Sequence, residues 1–204
     1  MKRITFLLFV ILPLVTSAQK YTGHIHVLEG SVKDLKTLEG QTSYNLVYRY
    51  DDMIVGIEDS EAAYLAKKKQ AHELKAPGSG NGEKFEKMWF AARKDMYEPT
   101  FTRNFPTFAK IKVGDAGAKY TLILKTTRTE GGWNAGVTRK NAEVDVELWI
   151  VETADNSKVL AKIEFLNVKG TKSNGNDFEM AERIQDAYLY ASKAVGDYFS
   201  QKTE

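Results

Sequence analysis

His24 and His26 stand two apart in Gly-His-Ile-His-Val, a spacing that turns both imidazoles to one side of an extended chain, as a pair of metal ligands begins. A site needs a third ligand, and His72 is the one other histidine. Two solvent-facing polar residues on an early strand explain the pair more simply, so no metal site is assigned. His72-Glu73 opens like a zinc-protease helix, but that motif needs histidine at 76, where Ala76 stands. Gly78, Gly80 and Gly82 do not complete a dinucleotide loop, because Glu83 occupies the place of the last glycine and a helix precedes the run. Ser79 lacks the flanking glycines of a nucleophile elbow, with Pro77 and Asn81 in their places. No catalytic or cofactor-binding residue is assigned.

Asp51, Asp52, Glu58, Asp59 and Glu61 crowd enough carboxylates together to supply the acid and base of a glycosidase. Helix capping and the helix dipole account for acidic residues at such turns more simply. Gly131-Gly132-Trp133-Asn134-Ala135-Gly136 places a large aromatic in a flexible loop, and Trp133 is the contact residue the sequence offers for a partner or a sugar. A ring folded back onto the sheet edge is the competing expectation.

The chain starts with Lys2 and Arg3, an apolar run from Ile4 to Val15, and the small residues Thr16, Ser17 and Ala18. That order is a secretory signal over 1–18, with cleavage expected before Gln19. Removing 18 of 204 residues leaves 186, a length that suits one domain. Two of the 29 basic residues lie in the signal, so the remainder balances at 27 against 27 acidic residues. Neutrality argues against nucleic acid as a partner, since such affinity comes mainly from neutralising phosphates. The absence of cysteine removes thiol nucleophiles, thiolate metal sites, disulfides and the residue that a bacterial lipid anchor requires. No later stretch is apolar enough to span a membrane, and a periplasmic or secreted location is expected.

Tyr44 to Ile57 reads as one bent strand or two short ones, with Leu46, Tyr48 and Tyr50 on one face and Val47 and Arg49 on the other. Asp59 or Ser60 caps a thinly apolar helix through Leu65 to Leu74. The glycine-rich segment 76–82 reads as a flexible connector within the domain. Phe85, Met88, Trp89, Ala92 and Met96 recur at helical spacing, Pro99 closes that helix, and Phe101, Phe105 and Phe108 follow in an irregular segment. Tyr120 to Arg128 and Ala142 to Glu152 read as strands. In the second, Val144, Val146, Leu148 and Ile150 oppose Glu143, Asp145 and Glu147. Asp155, Asn156 and Ser157 turn the chain into a returning strand with Ala161, Ile163 and Phe165 inward. Asp177 caps a last helix in which Phe178, Ala181, Ile184, Tyr188, Ala191, Val195 and Tyr198 form the apolar stripe. One α+β domain over 19–204 follows. It is a two-layer sandwich whose mixed or antiparallel sheet is packed by the long C-terminal helix and one or two further helices.

Tyr120-Thr-Leu-Ile-Leu-Lys-Thr-Thr, the Trp133 loop, the strand from Ala142 to Glu152 and the exit at Lys158-Val-Leu-Ala together resemble envelope domains of the CsgG and TolB N-terminal type. The Ser17-Ala18-Gln19 region is similar to exported proteins of Bacteroidetes. The resemblance implies an α/β domain that works through protein contacts in the periplasm, with another envelope protein or itself as partner. The expectation is therefore a cell-envelope interaction or structural module. A small secreted hydrolase or carbohydrate-binding protein built on Asp51 and Asp52 is the alternative.

Overall fold

Valine and isoleucine at alternate positions commit the last third of the chain to a sheet with one dry face. In the computed structural model, which describes residues 21, 23–134, 137–173 and 175–203, Val144, Val146, Leu148 and Ile150 of β8 (Glu143–Glu152) are fully buried. They meet Ala161, Ile163 and Phe165 of β9 (Asp155–Lys169) and Leu122 and Leu124 of β5 (Tyr120–Glu130). Each aliphatic side chain so buried contributes about 1.5–3 kcal/mol. The hairpin turn falls on Thr153 and Ala154 rather than at Asp155 to Ser157. Asp155 already pairs with Glu152, and its carboxylate accepts hydrogen bonds from the Ser157 amide and hydroxyl.

The remaining strands are β1 (His24–Glu29), β2 (Ser43–Arg49), β3 (Ile54–Val55), β4 (Lys112–Val113) and the small pair β6 (Trp133–Asn134) and β7 (Arg139–Lys140). The main sheet runs β1-β9-β8-β5-β2-β4 and is mixed: antiparallel from β1 to β5, parallel from β5 to β4. The segment from Tyr44 to Ile57 forms two short strands, β2 and β3, which pair in succession with the same flank of β5.

The helices are α1 (Val32–Lys36), α2 (Glu61–Lys75), α3 (Asn81–Ala92), α4 (Glu98–Ala109) and α5 (Met180–Thr203). At 1.5 Å per residue α5 spans about 36 Å. It lays Ile184, Ala187, Tyr188, Ala191, Val195 and Phe199 against the dry face of the sheet and against α4. Its approach is capped by Asn176, not Asp177. The Asn176 side chain accepts from the Phe178 amide while Glu179 reaches back to the Asn176 amide, a reciprocal box over the 3-10 turn Asp177–Glu179. Ser60 caps α2 by accepting from the Ala63 amide.

Pro99 does not close the second helix. Five residues of π-helix, Arg93–Tyr97, join α3 directly to α4, and Pro99 sits in the first turn of α4. A widened turn relieves the clash of a proline ring with the preceding carbonyl, so the chain stays helical through the residue that ordinarily ends a helix. Phe101 and Phe105 are consequently fully buried on α4 rather than on an irregular segment, and Phe108 is half-buried beside them. Segment 76–82 is not a connector throughout. Asn81 and Gly82 already form the first turn of α3, and Gly82 is buried where a Cβ would meet the Lys69 backbone at 3.1 Å.

Candidate functional site

The histidines do not gather into one site. His24 and His26 share a face of β1 with their rings nearly parallel at 6.2 Å, and His26 Nδ1 lies 3.0 Å from the Glu164 carboxylate. His72 is buried on α2 between the rings of Phe85 and Phe178, where its Nε2 makes no hydrogen bond and lies 3.9 Å from Asp177. Among the described residues no three potential ligands are grouped. Ser79 belongs to the α2–α3 turn and accepts from the Asn81 amide.

Within the expected acidic cluster Asp51 and Asp52 share Lys125, Asp59 is exposed, and Glu58 and Glu61 have partners of their own. Asp51 receives both the Arg49 Nε–H and Nη2–H at 2.8 Å and lies 3.0 Å from Lys125 Nζ. These hydrogen bonds, Arg49's first, hold its carboxyl well below the usual carboxylate range, the opposite of what a general acid requires. Asp52 is 91% exposed, Glu58 pairs with Lys67, and Glu61 accepts from Trp89 Nε1 and Arg93.

Trp133 presents a different picture. The connection from β5 to β8 leaves the sheet as a narrow arm carrying β6 and β7, whose backbones pair Trp133 with Lys140 and Asn134 with Arg139. Ala135 and Gly136 of this loop lie outside the described residues. Trp133 is 46% exposed and Val137 fully exposed. The base is held from beneath by Arg183 of α5, only 2% exposed, which donates from Nε to the Gly131 carbonyl at 2.9 Å, from Nη2 to that of Gly132 and from Nη1 to that of Asn176. Gly132 must be glycine. Its φ is +63°, and a Cβ there would meet the Lys140 carbonyl at 2.5 Å. Glu130 completes the base by accepting from the Gly132 amide and the Lys140 ammonium.

No protein-family model matches this sequence, and no curated protein does. Solved structures with a similar arrangement include the PelC dodecamer from Paraburkholderia phytofirmans, 11% identical over 82% of this chain and 96% of that one, with a TM-score of 0.35. A point variant of the same dodecamer is 12% identical over 82% and 98%, with a TM-score of 0.33. Likeness of that degree carries no inference about this chain.

A second aromatic lies on the sheet face that the helices leave uncovered. Trp149 of β8 points away from the core, and three cations crowd its ring: Lys162 at 4.5 Å, Arg49 at 5.0 Å and Lys125 at 5.8 Å from the centroid. Its Nε1–H donates to Glu147 at 2.6 Å. Sequence reasoning passed over both Trp149 and Arg183. The alternation of β8 put Trp149 among the charged residues, and that was the available signal: a lone indole on a wet face. Arg183 gave none, because a buried arginine inside an amphipathic helix reads like any other polar residue. No helix among the described residues is long and apolar enough to cross a membrane.

Proposed function

We propose that this chain is an exported cell-envelope protein that works as an interaction module, engaging its partner through the Trp133 arm. One observation carries the reading: an exposed tryptophan and an exposed valine stand on a narrow arm whose base is locked by a buried arginine. Aromatic anchors contribute most to association when their backbone is already ordered, because little freedom is then lost on binding. The basic, apolar and small-residue order of positions 1–18 supports export. The partner is another envelope protein or a second copy of this chain, and light scattering over a concentration series separates the two.

The test is a photo-reactive amino acid at position 133, compared with one at the exposed Leu74 of α2. The reading expects a discrete cross-linked species in producing cells from position 133 and none from 74. Absence of an adduct at 133, or the same pattern at both positions, removes it. The carbohydrate or hydrolase alternative gains nothing from Asp51, whose carboxylate is committed to Arg49 and Lys125.

A further inference from the structure

At one corner of the sheet, where β1 begins, β9 ends and α5 passes over, lies a half-open cavity of about 570 Å³. That volume falls within the range of small-molecule sites. Val168 and Ala194, both almost fully buried, give it an apolar floor. His24, Lys169 and Lys193 line it, and among the described residues no aspartate or glutamate does. The carboxylates that pair with the two lysines, Glu143 with Lys169 at 3.4 Å and Asp197 with Lys193 at 2.9 Å, are outside the lining.

The wall of this cavity is built with some effort. β9 carries one residue more than β8 between the pairs Val144–Val168 and Val146–Phe165, and Asn167 sits in that bulge with φ at +57°. Its amide donates to Asp145 Oδ1 at 2.6 Å and its side-chain oxygen accepts from Arg128 at 3.2 Å. Arg128 in turn is bound by both oxygens of Asp145 and by Glu143. A half-buried ion cluster thus holds a non-glycine residue in the left-handed region at the cavity edge. Bulges that redirect a side chain, and backbones held in sparsely populated regions, concentrate at binding sites. Across the opening, Asn141 is fixed by donating to the Gly170 carbonyl at 2.8 Å.

We infer that this corner is a binding site for a small organic anion, one carrying a carboxylate or phosphate next to hydroxyl groups. Lys193 Nζ rests over the Phe108 ring at 5.0 Å and pairs with Asp197, and Lys169 pairs with Glu143, so the anion draws both ammonium groups away from these partners, while Asn141, Asn167 and Tyr190 supply the neutral hydrogen-bonding groups that orient the remainder. This function is separate from the contact made by the Trp133 arm, so either stands if the other fails.

Titration calorimetry and amide chemical-shift mapping with glucuronate, glucose 6-phosphate and glucose test it. Both anions should bind with an affinity that falls as salt rises, shift the amides of Asn167 and Lys193, and outcompete glucose, which should not bind. The tighter of the two identifies carboxylate or phosphate as the preferred group. The double substitution Lys169→Gln, Lys193→Gln should weaken binding by about tenfold or more, the effect of losing charge-assisted hydrogen bonds. Asn167→Gly, which keeps the backbone conformation and removes the carboxamide, should weaken it by a smaller factor. No binding of either anion at millimolar concentration, equal binding of glucose, shifts confined to other surfaces, or wild-type affinity in the double variant would overturn the assignment.

Discussion

Trp133 lies within the connection from β5 to β8 and Trp149 on β8 itself, and their settings are opposite. Trp149 is stacked by the chain's own lysines and arginine and has given its N–H to Glu147. Its interactions are satisfied within the molecule. Trp133 has no ring or cation contact among the described residues, and its support comes through the backbone beneath it. A tryptophan on an uncovered face is therefore not by that alone a contact residue. The contact proposed at Trp133 rests on a hydrogen-bonded base under a ring with no ring or cation partner among the described residues, so that binding costs it no earlier contact.

The substitution that should separate the two most is Arg183→Leu. It leaves the carbonyls of Gly131, Gly132 and Asn176 without their charged donor, at a cost of about 3 kcal/mol. A lowered urea midpoint together with proteolysis inside the arm is the expected result. If the arm stays as resistant as before, rigidity does not come from the arginine and the contrast with Trp149 loses its basis.

Next in size is the paired comparison of Trp133→Ala with Trp149→Ala. At 133, cross-linking or partner affinity should fall by about thirtyfold, the value of a hot-spot aromatic near 2 kcal/mol, with the melting temperature unchanged. At 149, stability should fall by roughly 1–2 kcal/mol from lost packing and cation–π contact while partner binding is retained. Reversed outcomes would transfer the contact role to the open sheet face. Smaller again is Lys162→Gln, which removes the cation nearest the Trp149 ring and should cost about 0.5–1 kcal/mol, measured by denaturation, with no effect on the arm.

The same two regions show what the sequence makes legible. Alternation marked β8 and β9 because a single buried face demands it, and the stripe of α5 was readable for the same reason. The arm was visible as a glycine-flanked tryptophan, but the clamp at its base was not, since it comes from Arg183 fifty residues later. The helix through Pro99 was hidden because local rules end a helix at proline, and the π turn that accommodates it has no residue signature. The parallel pairing of β2 and β3 with β5 was equally out of reach, because strand partners are chosen by long-range packing. Spacing brought candidate ligands and acids close along the chain, and the fold then buried His72 away from the histidines of β1 and tied Asp51 to Arg49 and Lys125.

The smallest effect concerns the rim of the Trp149 face. Arg49 and Lys125, two of the cations over the indole, are also the partners of Asp51. Their hydrogen bonds and charge keep the folded carboxyl below its unfolded value near 3.9. A group depressed in this way contributes stability above about pH 4 and loses it as pH falls from there toward the folded value, because the unfolded state takes up the proton first. Asp51 is 40% exposed, so solvent screening limits the contribution to under about 1 kcal/mol. Asp51→Asn should therefore lower the urea midpoint slightly at neutral pH and flatten its decline below pH 4, and both differences should shrink at high salt. Indole emission from the Trp149 face should change over the same acid range in the parent protein and not in the variant. An unchanged acid slope in Asp51→Asn would mean that Arg49 and Lys125 are held over Trp149 by the ring and Glu147 rather than by Asp51.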